Sequence, residues 1–201
     1  MVYIPRTLQM GVVDLSTVVT AGNIGTPGVG QLPSVTTEPQ LGDMVDAWDT
    51  STTANAATGQ GGFGRFIYLA VPTSTAVTAG LVYNWTPSNY SVVVMPTSLG
   101  TQGISGFPVC VAVNAVSSNA SSVQYTWFQI GGRCTVLKTA VQVAPNLPVY
   151  ISGATAGRVK VLGSAFRAII GARTANATTV TSTTSTVALY LNGAPAITAG
   201  I

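Results

Sequence analysis

Tyr125-Thr126-Trp127-Phe128-Gln129-Ile130-Gly131-Gly132-Arg133-Cys134-Thr135-Val136-Leu137-Lys138 is the stretch on which the fold turns. Side chains alternate across a strand. Tyr125, Trp127 and Gln129 therefore share one side, Thr126, Phe128 and Ile130 the other, and both sides carry bulk. That suits a strand covered on both faces. Gly131-Gly132 lies between two strand-like runs, the signature of a two-residue hairpin whose central residues need positive φ. The expectation is a hairpin between strands at residues 123–130 and 134–138.

Outward from this stretch the same grammar repeats: short runs of β-branched and aromatic residues bounded by turn residues. Further candidate strands are residues 65–71, 81–85, 91–95, 109–116, 149–151, 158–162, 166–173 and 187–191. Ala156-Gly157 links two of them as a second turn. The Thr/Ser-rich segment 176–186 reads as an exposed loop or strand edge. No fixed-period repeat marks a solenoid or propeller. The fold class expected is all-β, a sandwich or barrel of about ten short antiparallel strands with an extended N-terminal arm.

Residues 61–201 form the body, and residues 1–60 form the arm and its connection. Gly22, Gly25, Pro27, Gly28, Gly30, Pro33 and Pro39 punctuate the first 40 residues, leaving room for at most a short strand at residues 11–19. Leu41, Met44, Val45 and Trp48 then fall at i, i+3, i+4 and i+7, which predicts one short helix with Asp43 as its N-cap. A chain of 201 residues suffices for one well-formed core.

Only 6% of the residues are charged, against about 25% in ordinary soluble domains, so the surface is neutral and polar and suited to wide contact with other protein. No apolar run approaches the roughly 18 to 20 residues of a membrane span, and no membrane partner is expected. Met1 to Arg6 shows no basic region followed by an apolar block, so the chain is expected to fold where it is made.

The charges are segregated. All five acids (Asp14, Glu38, Asp43, Asp46, Asp49) lie in the first 49 residues with Arg6, whereas seven bases and no acid occupy the rest. The two parts carry −4 and +7, summing to the net +3. One reading docks the acidic segment onto the basic body of its own or a neighbouring subunit. Nucleic-acid binding is not expected, because Arg65, Arg133, Lys138, Arg158, Lys160, Arg167 and Arg173 are scattered singly.

The residue inventory leaves little room for catalysis. Without histidine, Ser-His-Asp and Cys-His machinery and the commonest metal ligand are absent. Asp43, Asp46 and Asp49 recur every three residues and read as the solvated acidic side of a helix start. Cys110 and Cys134 match no zinc or redox spacing and are expected to stay reduced as small buried hydrophobes that could face each other across neighbouring strands. The run Gly59-Gln60-Gly61-Gly62-Phe63-Gly64 lacks the Lys-Ser/Thr of a phosphate loop and leads into a strand. No catalytic, cofactor-binding or metal site is expected.

Gly64-Arg65-Phe66-Ile67-Tyr68-Leu69, Val77-Thr78-Ala79-Gly80-Leu81-Val82-Tyr83, Val109-Cys110-Val111-Ala112-Val113, Tyr125-Thr126-Trp127-Phe128-Gln129-Ile130-Gly131-Gly132 and Phe166-Arg167-Ala168-Ile169-Ile170-Gly171 together resemble the body of head decoration (cement) proteins of tailed bacteriophages. The resemblance spans about residues 60 to 192, and its most specific element is the Tyr-x-Trp-Phe-Gln-x-Gly-Gly run. It implies a structural virion protein, made in the host cytoplasm, that binds the outside of a capsid as a homotrimer and clamps adjacent capsomers. The implied partners are the major capsid protein and further copies of the chain. The alternative is a receptor- or glycan-binding module of a tail or head fibre, with Trp85, Trp127 and exposed tyrosines stacking on sugar.

Overall fold

The computed structural model describes residues 19–20, 39–49, 62–97, 106–161 and 168–197. These residues form eleven strands and no helix: β1 (Val19–Thr20), β2 (Met44–Asp49), β3 (Gly62–Val71), β4 (Val82–Thr86), β5 (Ser91–Val94), β6 (Val109–Ala112), β7 (Gln124–Leu137), β8 (Pro148–Ile151), β9 (Val159–Lys160), β10 (Ala168–Thr174) and β11 (Thr186–Ile197). The protein is all-β, as its short β-branched runs require.

Hydrogen-bonded neighbours run β2-β3-β5-β4-β6-β7-β11-β10-β8-β9, and β3 also pairs with β7. That extra pairing closes β3, β5, β4, β6 and β7 into a ring. All strand pairs are antiparallel except β3–β5, which meet in parallel at Ala70 and Ser91. Closure covers much of the edge of these five strands, and the part of β3 that β5 does not reach takes up β2. Inside the ring lie Ile67, Leu69 and Val71 from β3, Tyr83, Val92, Cys110 and Ala112, with Phe128 and Ile130 from β7.

A second core lies against the outside of the ring. Period-two alternation sends Val82, Val109 and Val111 away from the interior, where they join Cys134, Val136, Val149, Ile151, Ile169, Val187 and Leu189. All four residues of β6 are buried, so this strand is the wall between two cores. A third cluster, Phe66, Tyr68 and Trp127, sits on the opposite face of β3 and β7 beneath Val45 and Ala47 of β2. Trp127 is 1% exposed and Phe128 is fully buried, so the central strand is covered on both faces as its sequence implies.

Two expectations are corrected. The helix at Leu41 to Trp48 is strand β2, in antiparallel register with β3 from Met44↔Ile67 to Asp49↔Gly62. Val45 and Ala47 pack inward while Met44 is 55% exposed, a period of two. An isolated two-turn helix is marginal, whereas the free edge of β3 offers a full ladder of backbone bonds, and tertiary pairing wins. Asp43 caps no helix: its Oδ2 accepts the Gln40 N–H at 2.9 Å in a turn.

The second correction concerns Gly131-Gly132, which makes no hairpin. β7 runs through it unbroken for 14 residues. Gly132 does take a positive φ of 82°, but in a bulge. Arg65 pairs with Gly131 and Phe66 with Gln129, so Ile130 is the extra residue. β3 pairs with β7 on both sides of the bulge, β6 pairs before it, and β11 pairs beyond it, from Gly132↔Leu191 to Leu137↔Thr186.

Other expectations survive with shifted bounds. The Ala156-Gly157 turn joins β8 to β9, with Gly157 at φ 71°. The strand expected at residues 109–116 stops at Ala112, and Val116 only bridges to Val77. Of the strand expected at residues 11–19, Val19 is described: with Thr20 it pairs to Tyr125 and Gln124 at the start of β7. The remainder of that stretch, Leu162, Phe166 and most of the arm lie outside the described residues. No helix among the described residues is long and apolar enough to cross a membrane.

Candidate functional site

The bulge of β7 organises the most chemically distinctive surface among the described residues. Inserting one residue bends the strand and re-aims the side chains beyond it. Gln129, 8% exposed, fixes the bend: its Nε2 donates to the carbonyls of Gly131 and Arg133, both at 2.9 Å. Opposite lies Gly64, where an added Cβ would stand 3.1 Å from that amide nitrogen and 2.9 Å from the Phe66 ring. A side chain there would push directly on the group that holds the bulge.

Where the two glycines leave space, a groove of about 380 Å³ opens, lined by Arg65, Arg133, Tyr190 and Asn192 over the Gly131-Gly132 backbone. Register explains the grouping. Tyr190 lies directly opposite Arg133 on β7 and Arg173 on β10. Directly opposite residues share a face. The sheet thus assembles an Arg133–Tyr190–Arg173 row, with Arg65 across the bulge. Tyr190 is 55% exposed.

The two groove arginines are held differently. Arg65 is paired with Asp46 of β2 (Nε–Oδ1 2.8 Å, Nη2–Oδ2 3.3 Å), and this carboxylate raises the arginine's pKa. Both side chains are substantially exposed, so the pair adds at most about 1 kcal/mol. Arg133 is anchored through Nη2, which donates to the Ala175 carbonyl at 2.8 Å, while its Nε is buried without an acceptor. The lining holds two cations, a phenol and an amide beside the apolar Leu191, and it lacks a carboxylate, thiol or imidazole.

Along the sequence the arginines are scattered. Arg65, Arg133 and Arg173 are far apart in the chain, and only the β3–β7–β11–β10 register brings them together. No local pattern signals the groupings, because register is set by pairing between strands distant in the chain.

The remaining singled-out residues are dispersed. Cys110 lies inside the ring and Cys134 in the second core, so the two free thiols belong to different clusters and do not face each other. Burial pushes both thiols up, Cys134 to about 12. Asp46 engages Arg65 and Asp43 closes a turn; Asp14 and Glu38 lie outside the described residues. Among the described residues no group of three His, Cys, Asp or Glu could hold a metal. Trp127 is buried, and Trp85 stacks on Tyr90 at 5.8 Å.

Lys138, also counted among the scattered bases, is 1% exposed. Its Nζ donates to the carbonyls of Val141 at 2.8 Å and Thr139 at 3.3 Å, and burial lowers its pKa. Comparison with known proteins adds no identity: no family model, curated protein or solved structure matches the chain.

Proposed function

We propose that the chain is a structural virion protein that binds the outside of a phage capsid and clamps adjacent capsomers, acting as a homotrimer and without catalysis. The observation that carries this reading is the sparsely charged, histidine-free chain, in which only 6% of residues are charged. A lattice clamp draws affinity from area and shape, and repetition over a symmetric shell multiplies weak contacts. The resemblance of residues 60 to 192 to head decoration proteins points the same way. The fibre alternative loses one of its two tryptophans, since Trp127 is 1% exposed and closed off from sugar.

The test is the copy number of this chain in purified virions, by quantitative mass spectrometry against the major coat protein. Hundreds of copies in a simple ratio to the coat are expected. A few to a few dozen copies would transfer the protein to a tail, vertex or fibre, and absence from virions would end the proposal.

A further inference from the structure

Asn192-Gly193 is the only Asn-Gly pair in the chain, and the fold sets it apart from both ladders that hold β11. On the β7 side the ladder ends at Gly132↔Leu191. On the β10 side Ala172 pairs with Leu191 and Ile170 with Ala196, so Asn192, Gly193, Ala194 and Pro195 stand opposite Gly171 alone. We infer that Asn192 is a site of spontaneous deamidation, at which the folded chain acquires a carboxylate inside the groove at the β7 bulge. This holds whether or not the chain decorates a capsid.

Three observations carry it. The attacking group is the main-chain nitrogen of Gly193, which reaches the Asn192 side-chain carbon only when the backbone between them leaves the extended form that a ladder imposes. Residues bulged out of register are released from that constraint, and glycine as the second residue puts no Cβ in the way. Asn192 is also exposed and lines the groove, so water reaches it. Arg133, in the same lining, is held by a neutral acceptor, the Ala175 carbonyl, and keeps its positive charge, whereas Arg65 is met by Asp46. A neighbouring cation favours both the deprotonated nitrogen that attacks and the oxyanion that forms.

The chemistry needs water and no other reactant. The Gly193 nitrogen gives its proton to solvent and bonds to Asn192 Cγ, and the side-chain nitrogen takes up a proton and leaves as ammonia. A cyclic succinimide remains. Water opens it at the side-chain carbonyl to give aspartate, or at the main-chain carbonyl to give isoaspartate, whose backbone is longer. In sum an amide and water become a carboxylate and ammonium. Because residues 192–195 have no ladder partners, the longer backbone leaves the pairs from Thr186 to Leu191 in register. Either product sets a negative charge beside Arg133 in a lining that held none.

The test ages the full folded chain in mildly alkaline buffer beside the same chain unfolded in urea. Peptide mapping by mass spectrometry reads the gain of about 1 Da at each asparagine, and an isoaspartate methyltransferase labels the rearranged product. Expected is conversion at Asn192 faster than at every other asparagine, with the folded chain keeping pace with the unfolded one. Asn192→Gln should abolish it. Arg133→Gln should slow the folded chain severalfold and leave the unfolded rate unchanged, and Arg133→Lys, which keeps the charge, should restore the folded rate.

Protection of Asn192 in the folded wild type by more than about tenfold, a full decade of rate, overturns the proposal, since the fold would then hold the pair in ladder geometry. This comparison uses no variant, so it stands even if Arg133→Gln fails to fold. A folded Arg133→Gln chain that deamidates as fast as wild type also overturns it, because the groove would then contribute nothing.

Discussion

Cys110 and Cys134 show how a residue's burial writes itself into the pH dependence of the whole chain. Both thiols are kept protonated by the cores around them, Cys134 up to about 12, whereas in the unfolded chain a thiol ionises near pH 8.5. Above that value the unfolded state binds fewer protons than the folded one. Stability therefore falls as pH rises, by roughly 1.4 kcal/mol per pH unit for each thiol. For Cys134 the window ends near 12. Lys138 acts oppositely: its folded pKa lies below the unfolded value, so stability gained from its deprotonation rises with pH up to about 10.4. The variant Cys110→Ala/Cys134→Ala should be less stable than wild type at pH 7 and lose less stability between pH 9 and 10.5. Parallel urea-midpoint curves for the two proteins would contradict this account. Packing sets a larger scale, and Phe128→Ala inside the ring should cost about 3–5 kcal/mol by chemical denaturation. Tyr190→Ala on the surface should stay within about 0.5 kcal/mol.

At the scale of the element, β7 serves three clusters because it bends once. Trp127 faces the aromatic cluster with Tyr68 at 5.1 Å, Phe128 and Ile130 face the ring, and Cys134 and Val136 face the second core. The bend depends on Gly132 at φ 82° and on the two hydrogen bonds from Gln129. Gly132→Ala forces a side chain into a left-handed conformation and should destabilise by about 1–3 kcal/mol. Gln129→Leu removes both bonds inside a buried site and should cost about 1–3 kcal/mol. Thermal melts of the two variants check whether these contacts hold the bend. A variant that melts like wild type would show that the bulge is held by other contacts.

For the whole molecule, the part played by residues 1–38 is open to a direct test. Within residues 1–38 the described element is β1, two residues paired to the start of β7. Removing residues 1–38 should leave one cooperative melting transition within a few degrees of the full chain. The same truncation should weaken attachment to capsids in a pelleting assay. Unchanged attachment would remove the arm from the proposed contact, and loss of the transition would make the arm part of the fold.

Local chemistry in the sequence determined the class of structure and much of its interior. β-branched runs separated by turn residues leave an all-β chain, alternation at Thr126 to Ile130 predicts a strand buried on both faces, and Gly132 and Gly157 both take the positive φ that their glycine contexts suggest. Only the tertiary structure decided what pairs with what. Leu41 to Trp48 satisfies a helical period and a strand period at once, and the free edge of β3 selected the strand. Gly-Gly permits a hairpin or a bulge equally, and the partner strands β3 and β11 on successive lengths of β7 chose the bulge. The arginine groove was invisible for the same reason. Register is set by long-range hydrogen bonding between strands distant in the chain, and no local pattern around Arg65, Arg133 or Arg173 encodes which of them will become neighbours.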